Sequence, residues 1–241
     1  MPWRERARHF LAWRRPRTSA WGAMLDQQDI LLAALSWQPT GVVRVMVYEH
    51  QHAPQGLVHL SERDDWLVQT LRSLGAHLPQ QLRTMVLALG DGRCRQGVLN
   101  WEGTTDLRRL QAEVQLEAAA VWGVDADAVG FDFHIEPGAS AGALQQVHWA
   151  ACLQDELRRW QQHARHAGWR LPVVEPEQQA VRRAAMHLRG ETWRHWAESP
   201  QDWQFSRTPE RDLSESDWTA LQHGPMWRPL VACGAALGAL L

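Results

Sequence analysis

Lysine is missing from this 241-residue chain, so all 25 basic residues are arginine. Any chemistry built on a lysine is thereby excluded, a P-loop lysine and a Schiff base included. The bias needs no functional cause, since a GC-rich genome favours arginine codons. Cysteine is scarce: Cys94, Cys152 and Cys233 are scattered, with no CxxC pair. That excludes a disulfide framework, suits a reducing compartment, and makes each cysteine a small buried hydrophobe. Tyrosine occurs once and phenylalanine four times, against fifteen tryptophans. Long apolar runs are absent too. The longest, residues 230–241, falls short of the roughly 20 apolar residues that span a bilayer. Residues 1–17 carry Arg4, Arg6, Arg8, Arg14, Arg15 and Arg17, interrupted by Phe10, Leu11 and Trp13. This is not a secretory signal. A basic, Trp-anchored membrane-surface segment is one reading, and a frayed extension is the simpler one. A cytoplasmic location follows as the expectation. The net charge of −2 gives no global attraction to nucleic acid or anionic lipid.

What is present is a folded chain, 45% apolar and 22% charged. Residues 21–25 and 30–35 are apolar stretches around Asp26-Gln27-Gln28-Asp29 and predict a hairpin, with a third strand at 42–48. Ser61 is expected to cap a helix carrying Trp66, Leu67, Leu71, Leu74 and Leu78, ended by Pro79. Residues 84–89 read as a buried strand, Gly90-Asp91-Gly92 as a hairpin turn, and 94–99 as the strand returning from it. Thr104 or Thr105 is expected to cap a helix with Leu107, Leu110, Val114, Ala118 and Val121 on one face, ended by Gly123. Strand 129–135 alternates Phe131 and Phe133 with Asp132 and His134. After a Gly/Ser/Ala loop come a strand at 147–152, a helix with Leu153, Leu157, Trp160 and Ala164, a strand at 170–175 and a helix at 177–185. The order is α/β with a mixed sheet and flanking helices. From 186 to 217 periodicity is lost, and helices resume at 214–221 and 225–240.

No catalytic constellation stands out. His50 and His52 flank Gln51, and His163 and His166 are three apart, but HExxH and a recurrent third ligand are missing. These histidines are therefore expected at the surface, with no metal. GxSxG is absent. Glu113 and Glu117 read as a solvated helix face. Phe131 and Phe133 lack the basic stripe of a nucleic-acid surface.

The run Leu110-Gln111-Ala112-Glu113-Val114-Gln115-Leu116-Glu117-Ala118, followed by Val129-Gly130-Phe131-Asp132-Phe133, resembles the PilM family of actin-like type IV pilus assembly proteins. There a Glu-rich I-x-x-E-A helix leads into a strand ending in D-F. The strand Val147-His148-Trp149-Ala150-Ala151 is similar as well. So are Ala167-Gly168-Trp169, Val173-Val174-Glu175-Pro176-Glu177 and Ala180-Val181-Arg182-Arg183-Ala184, beside the family's A-G-L, V-V-D-V-E and A-L-E-R-A. Val231-Ala232-Cys233-Gly234-Ala235-Ala236-Leu237 is similar to the family's V-A-C-G-L-A-L ending. The resemblance implies an actin-like (RNase H-like) fold at the inner membrane. It also implies a partner in the cytoplasmic N-terminal peptide of PilN, contacts with other pilus platform proteins, and a role in pilus assembly or competence and DNA uptake.

The departures are as informative. The family's phosphate turn reads G-(I/V)-D-(I/L)-G-x-x-x-(V/I)-K. Gly22 is kept, but Met24 stands at the Asp, Asp26 at the second Gly and Leu31 at the Lys. A buried methionine cannot organise Mg²⁺, and an Asp at the turn repels phosphate. A second phosphate loop is not visible in 186–208. The resemblance thus implies a shortened, degenerate member. It would have a basic extension at 1–17, actin-like subdomains at 18–185 and a truncated second half at 186–241, with no ATP, metal or nucleic acid bound and no hydrolysis. Partner-binding residues implied on this basis are Glu113, Leu116, Glu117, Trp122, Phe131, Asp132 and Phe133; homo-oligomerisation is left open. The alternatives are an ATPase that uses Gly90-Asp91-Gly92 as a substitute turn and a type II secretion module.

Overall fold

The computed structural model describes residues 18–26, 28–57, 59–102, 106–136, 144–190 and 199–241. The basic segment, Thr104, Thr105, the Gly/Ser/Ala loop, Trp193 and Trp196 lie outside them.

Strands β1 (Ser19–Leu25), β2 (Asp29–Trp37) and β3 (Val43–His52) form an antiparallel meander. Helix α1 (Leu60–Gly75) leads to β4 (Thr84–Leu89), which pairs in parallel with β1. The chain then leaves this sheet. β5 (Cys94–Trp101), α2 (Leu107–Trp122), β6 (Val129–Glu136) and β7 (Gln145–Leu153) build a second, antiparallel sheet of order β5-β7-β6 with α2 on one face. Helix α3 (Gln154–His166) returns to β8 (Arg170–Pro176), parallel to β4. Helix α4 (Glu177–His187), the two-residue strand β9 (Gln204–Phe205), α5 (Glu215–Gln222) and α6 (Trp227–Gly238) complete the described chain. β9 adds to the edge of β3, giving the order β8-β4-β1-β2-β3-β9.

Both faces of the main sheet are covered, which is why β1 and β2 are apolar at almost every position. Ala20, Met24, Leu31, Ala33 and Leu35 lie under α4 and α6. Trp21, Ala23, Leu25, Ile30, Leu32 and Ala34 lie under α1 and α3. Helix α6 is buried at every position from Leu230 to Leu237, as an all-round apolar helix must be. Two glycines let it approach. A Cβ on Gly22 would overlap the Ala232 carbonyl oxygen and the Ala236 nitrogen, and one on Gly234 would overlap the Ala180 carbonyl. Behind it Arg183 bonds both carboxylate oxygens of Glu175, each at 2.8 Å, and donates to the Gly234 carbonyl at 2.8 Å.

Several expectations are corrected. Gly90-Asp91-Gly92 is not a hairpin turn: β5 pairs with β7, so the turn is a crossover between sheets. Ser61 lies inside α1, whose start is closed by Glu62 accepting from the His59 amide at 3.2 Å. Asp106 caps α2 by accepting from the amides of Arg108 and Arg109, while Gly123 ends it at φ 64°, as the pattern predicts. Within the stretch read as irregular, β9 forms and Trp203 is buried against Phe205. Cys94 and Cys152, distant in sequence, are register partners across β5 and β7. All three cysteines are buried.

Candidate functional site

In open α/β sheets ligands bind beyond the carboxyl ends of the parallel strands. Here those ends belong to β1, β4 and β8, and the residues that follow them are Asp26, Gly90-Asp91 and Glu177. Three carboxylates therefore converge where the sheet would receive a ligand. Glu177 opens α4 and packs beside Gly90. Burial, then the Asp91 charge, push its carboxyl up from the ordinary value, against a hydrogen bond from Trp227. The Asp91 carboxylate accepts from Gln178 at 2.6 Å.

The β1–β2 turn is closed from within. Asp26 Oδ1 accepts from the amides of Gln28 and Asp29, both at 2.7 Å, so the carboxylate folds back on its own turn. Its Oδ2 lies 2.8 Å from Arg228 Nη2, and Arg228 Nη1 bonds Asp29 Oδ2. Arg228, from the first turn of α6, thus ties both aspartates. Asp29 is buried. Desolvation works against its charge, but Arg228 and His50 outweigh it and hold the carboxyl below the usual range. Its Oδ1 meets His50 Nε2 at 3.0 Å and His52 Nδ1.

Of the residues placed on the phosphate turn, Gly22, Met24 and Leu31 share the sheet face beneath α6. Met24 and Leu31 are register partners, and both are buried. Neither can reach a ligand. Asp26 is the one that stands at the turn.

The residues implied for partner binding separate into two sets. Glu113, Leu116 and Glu117 are exposed on the outer side of α2. Phe131 and Phe133 point the other way, half-buried against the helix with Trp122. Trp122 lies under the Arg95 guanidinium, 5.5 Å from its ring centroid. Asp132 is exposed on the opposite face of β6. β6 is an edge strand.

The histidines divide too. His50 and His52 do lie at the surface, yet both reach the buried Asp29. His163 is not a surface residue: its side chain, 12% exposed, sits 3.4 Å from Asp64 of α1, and burial pushes its pKa down. In the sequence Asp29 is legible only as part of the β1–β2 turn, and no motif marks Arg228. The only sequence signal was the His50-x-His52 spacing, which puts both rings on one side of a strand.

Sheet order, parallel β1-β4-β8 core and inserted small sheet define the class: an actin-like, mixed α/β body. The chain is similar to a protein in the "PilM-PilN type IV pilus biogenesis complex", at a TM-score of 0.55 and 18% identity over 71% of this chain and 51% of that one. It thus spans about half the length of that pilus protein. A second similar structure is the cytoplasmic domain of EpsL, an inner membrane component of the type II secretion system of Vibrio cholerae. There the TM-score is 0.46 and the identity 14%, over 67% of this chain and 58% of that one. No protein-family model and no curated protein sequence matches the chain. Among the described residues no helix is long and apolar enough to cross a membrane.

Proposed function

We propose that this chain is a cytoplasmic adaptor of a type IV pilus or related DNA-uptake machine, peripheral to the inner membrane, that binds the N-terminal peptide of a PilN-like membrane protein and hydrolyses no ATP. The observation that carries this reading is the filled phosphate turn on an actin-like body. A triphosphate turn needs free amides and a cation. Here Asp26 uses the turn amides, Arg228 is committed to Asp26 and Asp29, and Met24 and Leu31 are core. Asp91 and Glu177 add further negative charge where phosphates would sit.

The domain reading belongs to the same proposal. Residues 18–185 carry the actin-like subdomains, and 186–241 belong to a second half whose described part, β9, α5 and α6, packs back on the first. The partner segment runs along the outer face of α2 beside the edge strand β6. Glu113 and Glu117 meet its basic residues, Leu116 an apolar one, and Asp132 the solvent side of the strand, while Trp122, Phe131 and Phe133 support the helix and strand from within.

The test is the variant Glu113→Gln/Glu117→Gln. Two exposed ion pairs at about 0.5 kcal/mol each predict a peptide affinity lower by about fivefold. The loss should fade at high salt. Unchanged affinity in a folded double variant would remove the peptide from this face.

A further inference from the structure

We propose that Asp29, His50 and His52 form a binding site for a divalent transition-metal ion, of the borderline-soft class represented by Zn²⁺. β3 places His50 and His52 two residues apart, hence on one side of the strand, and β2 places Asp29 directly opposite His52. The three donor atoms all lie within 4.8 Å of one another. Both imidazole nitrogens converge on a single oxygen, Asp29 Oδ1. Two imidazoles and one carboxylate are the donor set of open zinc and related transition-metal sites, and they leave positions free for water.

The carboxylate is built as a ligand. Its side chain is 6% exposed, and its other oxygen is held by Arg228, so Oδ1 keeps a fixed direction toward the rings. Such outer hydrogen bonding orients metal ligands. The histidines face outward, with His50 33% and His52 70% exposed, and a pocket lined by Gln28, His52, Pro54, Gln55, Leu57 and Arg63 opens beside them. An ion therefore has an entry path and space for its water ligands. An ion here takes the place of the direct contacts between the two rings and Oδ1 and pins β2 to β3 beside the filled turn. Mg²⁺ is a poor fit, because it prefers an all-oxygen octahedron.

A second group, His134, Glu136 and His148, has similar spacing on the outer face of the small sheet. Its carboxylate is 57% exposed and its two imidazoles stack at 5.0 Å, so nothing fixes it as a ligand. It serves as the internal control.

The experiment is titration of the untagged, chelator-stripped full chain with Zn²⁺ in a competing fluorescent indicator, and with Co²⁺ followed by visible absorption. One equivalent should bind. His52→Gln and His50→Gln should each weaken binding at least tenfold, and His134→Gln should leave it unchanged. At a hundredfold excess of Zn²⁺ over Kd the melting temperature should rise by about 5–11 °C in the native chain, and not in His52→Gln. Circular dichroism checks that the exposed His52 variant is folded. No stoichiometric binding to the native chain overturns the proposal. So does binding that survives in both His50→Gln and His52→Gln, and so does binding lost in His134→Gln alone.

Discussion

Gly22→Ala is the sharpest test of how α6 is held. Gly22 is the first glycine of the family's phosphate turn, which this chain keeps, and the structure gives it a packing role. Its added methyl would overlap the Ala232 oxygen and Ala236 nitrogen and lie 2.9 Å from the Ala235 carbonyl carbon. Ordinary contact needs about 3.5–4.0 Å, so α6 must retreat on the order of 1 Å. The obstacle is helix backbone, which cannot rotate aside, and α6 is buried from Leu230 to Leu237. Overpacking of this kind costs about 3 kcal/mol, the upper end of its usual range. At about 2–4 °C per kcal/mol for a domain of this size, the melting temperature should fall by about 6–12 °C. Thermal and urea unfolding followed by circular dichroism read this directly. Gly92→Ala is the control, since a Cβ there meets nothing within 4 Å. If Gly22→Ala melted with the native protein, the close seat of α6 on β1 would be refuted.

Arg183→Met leaves the buried Glu175 carboxylate unpaired and should cost about 3 kcal/mol in urea unfolding, with part of the loss recovered in Glu175→Gln/Arg183→Met. Equal stability of the single and double variants would contradict the pairing. Glu177→Gln should stabilise the fold at neutral pH. The native carboxyl is pushed above its ordinary 4.5 by burial and Asp91, so its ionisation weakens the fold as pH rises through the interval between the two values. The variant's advantage should vanish in acid; an advantage constant across pH would sink this account. Burial and the facing Cys152 push the Cys94 thiol up, the Cys152 hydrogen bond being the larger cause, and burial alone raises Cys233. Thiol reagents should therefore leave the native protein unlabelled and react after unfolding; fast labelling of the native chain would contradict it.

Periodicity carried most of the fold. The continuous apolar runs of β1 and β2, the 3.6-residue spacing of α1 to α3 and the alternation in β6 are local properties of the chain, so its letters display them. Partnering is not local. β5 reads as a strand, but nothing in residues 94–99 says that it crosses to β7 instead of returning along β4. β9 is two residues long, too short to carry a period. Asp26 and Arg228 are separated by 202 residues, and Asp29 reaches His52 only through the β2–β3 register. The site was legible to the extent that it copied a family turn. The resemblance led to Gly22, Met24, Asp26 and Leu31, but the guanidinium that closes the turn comes from α6, where no motif points to it. Phe131 and Phe133 show the limit of alternation: it separates the two faces of a strand but does not say which one a helix covers.

The proposed nucleotide-independent binding of the partner peptide is tested by calorimetric titration of the full chain with an N-terminal PilN-type peptide, with and without ATP and Mg²⁺. The expected result is micromolar peptide binding, the same in both buffers, and no heat from ATP alone. Binding of ATP, or a peptide affinity that changes when ATP and Mg²⁺ are added, would contradict it.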